Sequence, residues 1–377
     1  MSSISSATNQ KLKKKKTGWE RLKQQELAAW QPIFSPRGIS PLFLVFGVLL
    51  IPLGVLIFTM SKNIQELKFD YTDCLNSNGD KCSDIVQKMT GESCSCIINF
   101  QLEEPMKGKI RLYYALSNFY QNHREYVASR DDDQLLGKIG TSTPISPSSD
   151  CDPFGIAPNG KIYFPCGAIA NSMFNDTYTM FRHLNDGSKT EVRMIRTGIA
   201  WESDKKHKFK NPDLFLDINN TKFWDKFVQP RDWGKSLWDL DKVDANNNGL
   251  QNEDLIVWMR VSALPNFRKL HRFIDMASLG SNGEMPKGSY SFEIQYNYEV
   301  ASFEGTKTLI LTEQAFFGGR NVILGIILMS VGSFVLLLGL ILLLLSFKRR
   351  TTWSRGSKIS RDYGTQGTTT VRRSKIA

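Results

Sequence analysis

The longest uncharged run of the chain limits its fold more than any other feature. Val322–Phe347 contains 26 residues without a single charge, and basic residues stand on both sides of it. As an α-helix it would be about 39 Å long, which exceeds the hydrocarbon core of a bilayer at about 30 Å. A backbone in lipid must satisfy its own hydrogen bonds, which a helix does. We therefore predict a transmembrane helix here rather than a buried core helix.

A second apolar run, Leu42–Met60, has 19 residues and no charge. It begins about forty residues into the chain and no small-residue cleavage pattern follows it, so a cleaved signal peptide is disfavoured. Pro52 is compatible with a membrane helix. The predicted organisation is a cytosolic basic tail (1–38), a first transmembrane helix (39–61), a lumenal or extracellular domain (62–320), a second transmembrane helix (321–347) and a second cytosolic basic tail (348–377).

The charges of the two tails predict their side of the membrane. Residues 1–38 carry eight Lys and Arg and two acids, and residues 348–377 carry nine and one. The whole chain has a formal charge of +11, so the segment between the helices is slightly acidic. Basic flanks indicate the cytosolic side, which places both termini there. The basicity is thus a signal of topology and does not predict nucleic-acid binding.

The N-terminal tail offers two further features. Lys11–Lys16 contains five lysines, which predicts contact with anionic phospholipid of the cytosolic leaflet; a solvated tail that only fixes topology is the alternative. Trp19, Leu22, Leu27 and Trp30 fall within one arc of a helical wheel, which is typical of a helix lying in the membrane interface.

All six cysteines lie between the two apolar runs, where disulfides are expected because the segment is outside the cytosol. Cys94 and Cys96 are too close in sequence to bond with each other, so they reach back to the two upstream cysteines in a nested or a crossed arrangement. The remaining pair closes a 16-residue loop. The candidate disulfide residues are Cys74, Cys82, Cys94, Cys96, Cys151 and Cys166. Two glycosylation sequons, at Asn175 and Asn219, fall in the same segment and support the same topology.

The segment between the helices favours strands over helices. Tyr290–Val300 alternates apolar and polar residues, which predicts a half-buried strand. Asn118–Ala128 is assigned as a helix. The expected architecture is an antiparallel β-rich domain with a few short helices and long loops. Further strands are predicted at Lys109–Tyr114, Glu191–Ile195, Leu255–Met259 and Thr306–Leu311.

Sequence motifs give no indication of an enzyme. The four histidines have no metal-binding spacing, and no nucleophile elbow or nucleotide-binding loop is present. We therefore predict no catalytic, cofactor or metal site. The string from Asp244 to Gly249 matches the first half of a calcium loop, but Leu255 stands where a bidentate Glu is needed. With a strand predicted next, the string is interpreted as a polar turn.

Both membrane helices carry glycine at a spacing of seven residues, namely Gly47 and Gly54 in the first and Gly325, Gly332 and Gly339 in the second. Seven residues make two turns, so each set lines one face and permits close approach of another backbone. This pattern predicts a packing seam, either between the chain's own two helices or with the helices of a partner.

Several strings of the chain are distinctive. They are Lys23–Gln25 with Ala29–Pro32, Leu116–Val127 with Ser129–Asp132, Pro165–Ser172, Phe174–Thr177, and Asn252–Arg260 with Ala263–Pro265 and Phe267–Leu270. These strings resemble the cell-division-control-protein-fifty family, the accessory β-subunits of phospholipid-flippase P-type ATPases. The likeness runs from about residue 23 to 347 in the same order and includes both apolar runs.

The resemblance implies a non-catalytic subunit that forms a heterodimer with the catalytic α-subunit of a flippase. Such a subunit escorts the ATPase out of the endoplasmic reticulum and stays bound while the ATPase moves aminophospholipid to the cytosolic leaflet. The implied cysteine pairing is nested, and the implied location is the membranes of the secretory route. The segment from Asn118 to Tyr126 either faces the partner or ties the domain's own core together. Candidate partner-contacting residues are Trp30, Asn118, Tyr120, His123, Arg124, Gly325, Gly332 and Gly339.

The alternative class is a two-span ligand-gated channel subunit, which has the same topology and a disulfide-rich outer domain. A pore helix is expected to carry a stripe of polar or acidic residues. Val322–Phe347 offers only Ser330, Ser333 and Ser346 as polar side chains. This composition argues against conduction, and an ectoenzyme lacks a supporting motif.

Overall fold

The computed structural model describes residues 17–25, 36–88, 93–139, 146–212, 221–280, 283–314 and 318–365. They belong to two compact units, a helical unit from the two ends of the chain (1–56 and 324–377) and a β unit, Ile57–Ile323. The helices are α1 (Gly18–Lys23), α2 (Pro36–Lys62), α3 (Cys82–Lys88), α4 (Arg124–Ala128), α5 (Asp132–Leu135), α6 (Ala168–Asn171), α7 (Glu202–His207), α8 (Thr221–Lys226), α9 (Glu253–Met259) and α10 (Val322–Thr365).

The strands of the β unit are mostly short. They are β1 (Glu66–Asp70), β2 (Cys94–Leu102), β3 (Met106–Lys107), β4 (Ile110–Leu116), β5 (Ile162–Tyr163), β6 (Thr177–His183), β7 (Lys189–Val192), β8 (Met194–Ile195), β9 (Phe227–Val228), β10 (Phe267–Ile274), β11 (Glu284–Met285), β12 (Gly288–Tyr296) and β13 (Lys307–Glu313).

Two helices are long and apolar enough to cross a bilayer. They comprise Gly38–Lys62 within α2 and Val322–Lys348 within α10. Helix α2 begins at Pro36, a residue whose fixed φ suits the first turn and whose missing N–H is not needed there. Helix α10 continues beyond the apolar run as far as Thr365.

Two antiparallel sheets form a sandwich in the β unit. The larger has the strand order β1-β13-β4-β10-β8 and the smaller β2-β12-β6-β7, while β3 with β11 and β5 with β9 make two-stranded additions. Aromatic rings from the two sheets meet in the core. The ring of Phe69 lies 4.7 Å from that of Phe100 and 5.9 Å from that of Phe292. The predicted fold class, two membrane helices flanking an antiparallel β-rich domain with short helices and disulfides, is confirmed.

The clearest predicted strand shows why alternation specifies one face of a sheet. Tyr290, Phe292, Ile294 and Tyr296 of β12 are each 0% exposed, whereas the intervening Gln295 is exposed. Strand β12 lies between β2 and β6, which gives it neighbours on both edges. The strands predicted at 109–114 and 306–311 correspond to β4 and β13, and the one predicted at 191–195 is divided into β7 and β8.

Two sequence predictions are wrong. The run Leu255–Met259 is part of helix α9 and not a strand, because Asn252 caps it by accepting a hydrogen bond from the Leu255 backbone N–H at 3.1 Å. The predicted helix Asn118–Ala128 is helical only in α4. Asn118 adopts a left-handed φ of 56°, which a helix cannot accommodate, so the first six residues form turns.

Candidate interaction site

The glycines of α2 and α10 lie where these two helices touch. A Cβ placed on Gly47 would be 2.7 Å from the Leu336 Cβ, and one on Gly332 would be 3.0 Å from the Leu50 Cβ. Such distances leave no room for a side chain. The seam therefore joins the chain's own two helices, which is one of the two arrangements that the sequence left open.

The same close contact extends along the helices. A Cβ on Gly54 would lie 3.0 Å from the Gly325 carbonyl oxygen, and one on Gly339 would lie 3.1 Å from the Leu44 backbone nitrogen. The pairing runs in opposite chain directions, as two antiparallel spans require. The remaining faces of both helices are apolar and exposed, for example Leu49 at 63%. They are suited to lipid or to the helices of another protein.

The segment 117–126 is held to the rest of the β unit by polar side chains that are buried or partly buried. The Asn118 Nδ2 donates to the carbonyl oxygen of Phe303 at 2.6 Å. Gln121 is fully buried, and its Oε1 accepts from the Ser262 backbone N–H at 2.9 Å. These bonds satisfy polar groups that burial would otherwise penalise. The segment thus ties together the domain's own core.

Other side chains of the segment face solvent. Tyr120 is 57% exposed, and His123 and Arg124 are exposed as well. Leu264, 68% exposed, lies in the neighbouring loop, which accepts a hydrogen bond from the Phe119 backbone N–H. The core-tying interpretation therefore applies to the buried residues of the segment, and contact with a partner stays a prediction for the exposed ones.

Three disulfides staple the β unit, and they use all six cysteines. Cys74 pairs with Cys96 and Cys82 with Cys94, which is the nested arrangement, and the third pair is Cys151–Cys166. The Cα–Cα distances are 6.0, 5.4 and 5.7 Å, within the usual range for disulfides.

The middle residue of the first sequon is the centre of a buried polar network. The Asp176 Oδ1 accepts from the backbone N–H groups of Asn297 (2.6 Å) and Tyr298 (2.7 Å). Its Oδ2 accepts from the Lys307 Nζ at 2.6 Å and the Tyr71 hydroxyl at 3.0 Å. Burial lowers the pKa of Lys307 to about 8, against the opposing influence of Asp176. The network holds the sequon rigidly and leaves Asn175 exposed.

A cavity of about 410 Å³ lies next to this network, and we call it the Asn175 cavity. Its walls come from helix α9, from strands β4, β6 and β10, and from the loop around residue 233. The lining side chains include Asn175, Tyr114, Phe174, Arg196, Asp232, Trp233, Lys235, Asp254, Val257, His271, Arg272 and Asn297.

Two buried charges in the cavity wall, Arg272 and Asp254, form an ion pair. The Arg272 guanidinium reaches Asp254 with two nitrogens, at 2.5 and 3.1 Å. Burial alone would raise the pKa of Asp254, but Arg272 and His271 outweigh burial and hold that pKa at about 2. Burial and the adjacent Arg272 keep the pKa of His271 well below its usual value. A carboxylate of such low basicity is a poor general base near neutral pH, so the pair is suited to structure rather than to proton transfer.

The string from Asp244 to Gly249, which matches half of a calcium loop, forms a capped turn. The Asp244 carboxylate accepts from the Asn246 backbone N–H at 2.9 Å, so it caps a short turn. Leu255, at the position of the bidentate Glu, is 0% exposed and offers no ligand oxygen. Helix α9 follows the loop, in contrast to the predicted strand. The residues present do not form a calcium ligand set.

Some predicted residues lie outside the described part of the chain. These are Trp30, Asn219, Leu27 and the basic cluster Lys11–Lys16. Conversely, Lys307 is a buried polar residue that was not among the predicted ones. Its position on the inward face of a predicted alternating strand, in phase with Leu309 and Leu311, is the signal that could have identified it.

The fold and these features define a class of protein, namely a two-span membrane protein with a disulfide-linked β-sandwich between its spans. Residues 57–352 match the family described as LEM3 (ligand-effect modulator 3) family / CDC50 family. The chain belongs to this family. It is 44% identical over 333 residues to mouse (Mus musculus) "Cell cycle control protein 50A", covering 88% of this chain and 89% of that protein.

Two further relatives show the breadth of the similarity. Human (Homo sapiens) "Cell cycle control protein 50B" is 39% identical over 85% of this chain and 90% of its own length. A yeast (Saccharomyces cerevisiae) protein named "Phospholipid-transporting ATPase accessory subunit CRF1" is 34% identical over 88% of this chain and 85% of its own length.

Proposed function

We propose that the chain is the non-catalytic accessory subunit of a phospholipid-transporting P-type ATPase, with which it forms a heterodimer. The observation that carries this proposal is the similarity to the yeast accessory subunit over 88% of the chain. The partner hydrolyses ATP and moves aminophospholipid to the cytosolic leaflet. The chain supports the folding of the partner and its exit from the endoplasmic reticulum.

The structure is consistent with a rigid, non-catalytic subunit. Three disulfides and a fully buried ion pair make the β unit rigid. The glycine seam joins the two helices tightly and leaves their outer faces apolar. We assign the partner-contacting role to those outer faces and to Tyr120, His123 and Arg124. Trp30 is a further candidate.

The proposed topology places the β unit in the lumen or outside the cell and both termini in the cytosol. All disulfides and both sequons fall in the segment between the helices, and the basic tails flank them. The proposed location is the secretory route, from the endoplasmic reticulum through the Golgi and endosomes to the plasma membrane. Asn175 and Asn219 are the proposed glycosylation sites.

The helices offer little to an ion-conducting pore. The Ser330 hydroxyl donates to the Ile326 carbonyl oxygen, and the Ser333 hydroxyl to the Met329 carbonyl oxygen, each at 2.8 Å. These hydroxyl protons serve the helix backbone and not a permeating ion. This supports the subunit over the channel.

The proposal is tested by purifying the tagged full-length chain from its native membranes and identifying the proteins that remain bound. We expect one P-type ATPase of the phospholipid-transporting class in about equal amount. Recovery of the ATPase is then compared between two variants to test whether the exposed side of segment 117–126 contacts the partner. Tyr120→Ala alters that side, and Gln295→Ala, the matched control, alters an exposed residue on β12. Recovery of no such ATPase by the wild-type chain would overturn the proposal.

A further inference from the structure

We infer that the Asn175 cavity seats the first N-acetylhexosamine units of the glycan carried by Asn175 itself. This inference rests on the glycosylation included in the proposed function. The residues that line this cavity have no other role in the proposed function. The volume, about 410 Å³, lies within the range of small-molecule sites.

The acceptor side chain stands at the cavity. Asn175 is exposed and forms part of the lining, whereas its neighbour Asp176 is 2% exposed and fixed by four hydrogen bonds. The Asn175 carbonyl oxygen accepts from the Asn297 Nδ2 at 3.1 Å, which also restrains its backbone. Among the described residues, no hydrogen bond occupies the Asn175 side-chain amide. A sugar bonded to this amide therefore begins at the cavity wall.

The lining has the chemistry that sugars require. The C–H face of a pyranose packs on an aromatic ring, and its hydroxyl and acetamido groups pair with carboxylates, amides and guanidinium groups. Trp233 lines the cavity with a ring that is 8% exposed and is held in place because its Nε1 donates to the Ala170 carbonyl oxygen at 2.7 Å. Asp232 supplies a carboxylate and Lys235 an exposed ammonium.

The covalent link removes the need for high affinity. A ligand tethered by a short connection reaches an effective concentration in the millimolar range. A subsite with weak intrinsic affinity for a free sugar is therefore largely occupied by the attached one.

The test measures access to the bond between Asn175 and its first sugar. The full-length chain, purified with its ATPase partner in the Asn219→Gln background, is treated with a peptide-N-glycosidase before and after denaturation. Gly234 lies at the cavity, and a Cβ added there meets no atom within 4 Å. Gly234→Trp therefore places an indole ring at the cavity rim without a clash at its Cβ, where it competes with the sugar for space, and Gly234→Ala is the matched control.

We expect native wild type and Gly234→Ala to be cleaved at least about tenfold more slowly than denatured protein. Gly234→Trp should be cleaved natively almost as fast as denatured protein. Equal native rates in all three proteins, or no glycan on Asn175, would overturn the inference.

A second measurement does not depend on the tryptophan variant. Asn175→Gln and Thr177→Ala each remove the sequon, and hydrogen exchange is followed at the backbone amides of residues 231–235. Faster exchange confined to this loop in both variants is expected. Unchanged exchange would show that the chain's own glycan is not the occupant. If the ATPase still co-purifies with these variants, unchanged exchange overturns only the assignment of the glycan to the cavity and not the proposed function.

Discussion

The Lys307 ammonium lies 2.6 Å from the Asp176 carboxylate, and both side chains are 0% exposed. The two residues are 131 positions apart in the chain, so their contact fixes the start of β13 against the start of β6. The Lys307 Nζ also donates to the Tyr298 carbonyl oxygen at 2.7 Å and lies 3.0 Å from the centre of the Tyr296 ring. A buried pair this well surrounded compensates for much of its own desolvation.

Removal of one partner of this pair should be far more damaging than removal of both charges. Lys307→Met leaves the Asp176 carboxylate buried without its cation, and we expect a loss of about 3–5 kcal/mol in the free energy of unfolding. Denaturant unfolding of the purified full-length protein measures this loss. The double variant Lys307→Met/Asp176→Asn keeps an acceptor for the Asn297 and Tyr298 amides and should be clearly more stable than Lys307→Met alone. Equal stability of the two variants would contradict the pairing.

The β unit should lose stability on mild acidification because of His271. Its folded pKa lies well below the unfolded value of about 6.5, since burial and Arg272 disfavour the imidazolium. Below pH 6.5 the unfolded chain therefore binds a proton that the folded chain does not. The free energy of unfolding should fall by up to about 1.4 kcal/mol per pH unit from this group between pH 6 and 5. Unfolding measured at both pH values tests this slope.

The control for this pH dependence is another histidine. His271→Gln should flatten the slope between pH 6 and 5, because glutamine does not titrate there. His123→Gln, which changes an exposed histidine, is the matched control variant. A wild-type slope that survives in His271→Gln would exclude His271 as the cause. Asp254, with a folded pKa of about 2, adds a separate loss only as the pH falls from about 4 towards 2.

Enlarging a seam glycine should separate α2 from α10. In Gly47→Leu the new Cβ alone would lie 2.7 Å from the Leu336 Cβ, so the helices must move apart or shift. Overpacking of this kind costs about 1–3 kcal/mol. We expect a lower thermal midpoint of the protein in detergent. Val48→Leu adds volume at the adjacent residue, which is 58% exposed, and should have little effect. Equal midpoints for the two variants would disprove the seam.

Opening the third disulfide should weaken both the domain and its binding to the ATPase. Cys151 and Cys166 are 0% and 1% exposed, and their bond closes a loop for which chain entropy predicts about 3 kcal/mol. Cys151→Ser should therefore lower the thermal midpoint, the recovery of bound ATPase and the maturation of the glycans. The double variant with Cys166→Ser should behave like the single one. Unchanged ATPase recovery with normal glycan maturation would argue against a role for this loop in assembly.

Periodicity correctly predicted the elements whose surroundings stay the same from one end to the other. One face of β12 is buried along almost its whole length, and the two long uncharged runs are apolar along theirs. The errors have local causes. The apolar run at 255–259 is too short for periodicity to distinguish strand from helix. The capping residue Asn252 and the acids after it decide the outcome. Contacts such as Lys307 with Asp176, or the Asn175 cavity, depend on distant segments that only the fold brings together.

We propose that this chain supports lipid transport by another protein and performs no catalysis itself. The most direct measurement compares three sets of proteoliposomes, which contain the purified ATPase partner alone, the chain alone, or both. We predict ATP-dependent movement of aminophospholipid only when both are present, with neither ATP hydrolysis nor ionic current from the chain alone. Full transport by the ATPase alone, or hydrolysis or current from the chain alone, would contradict the account.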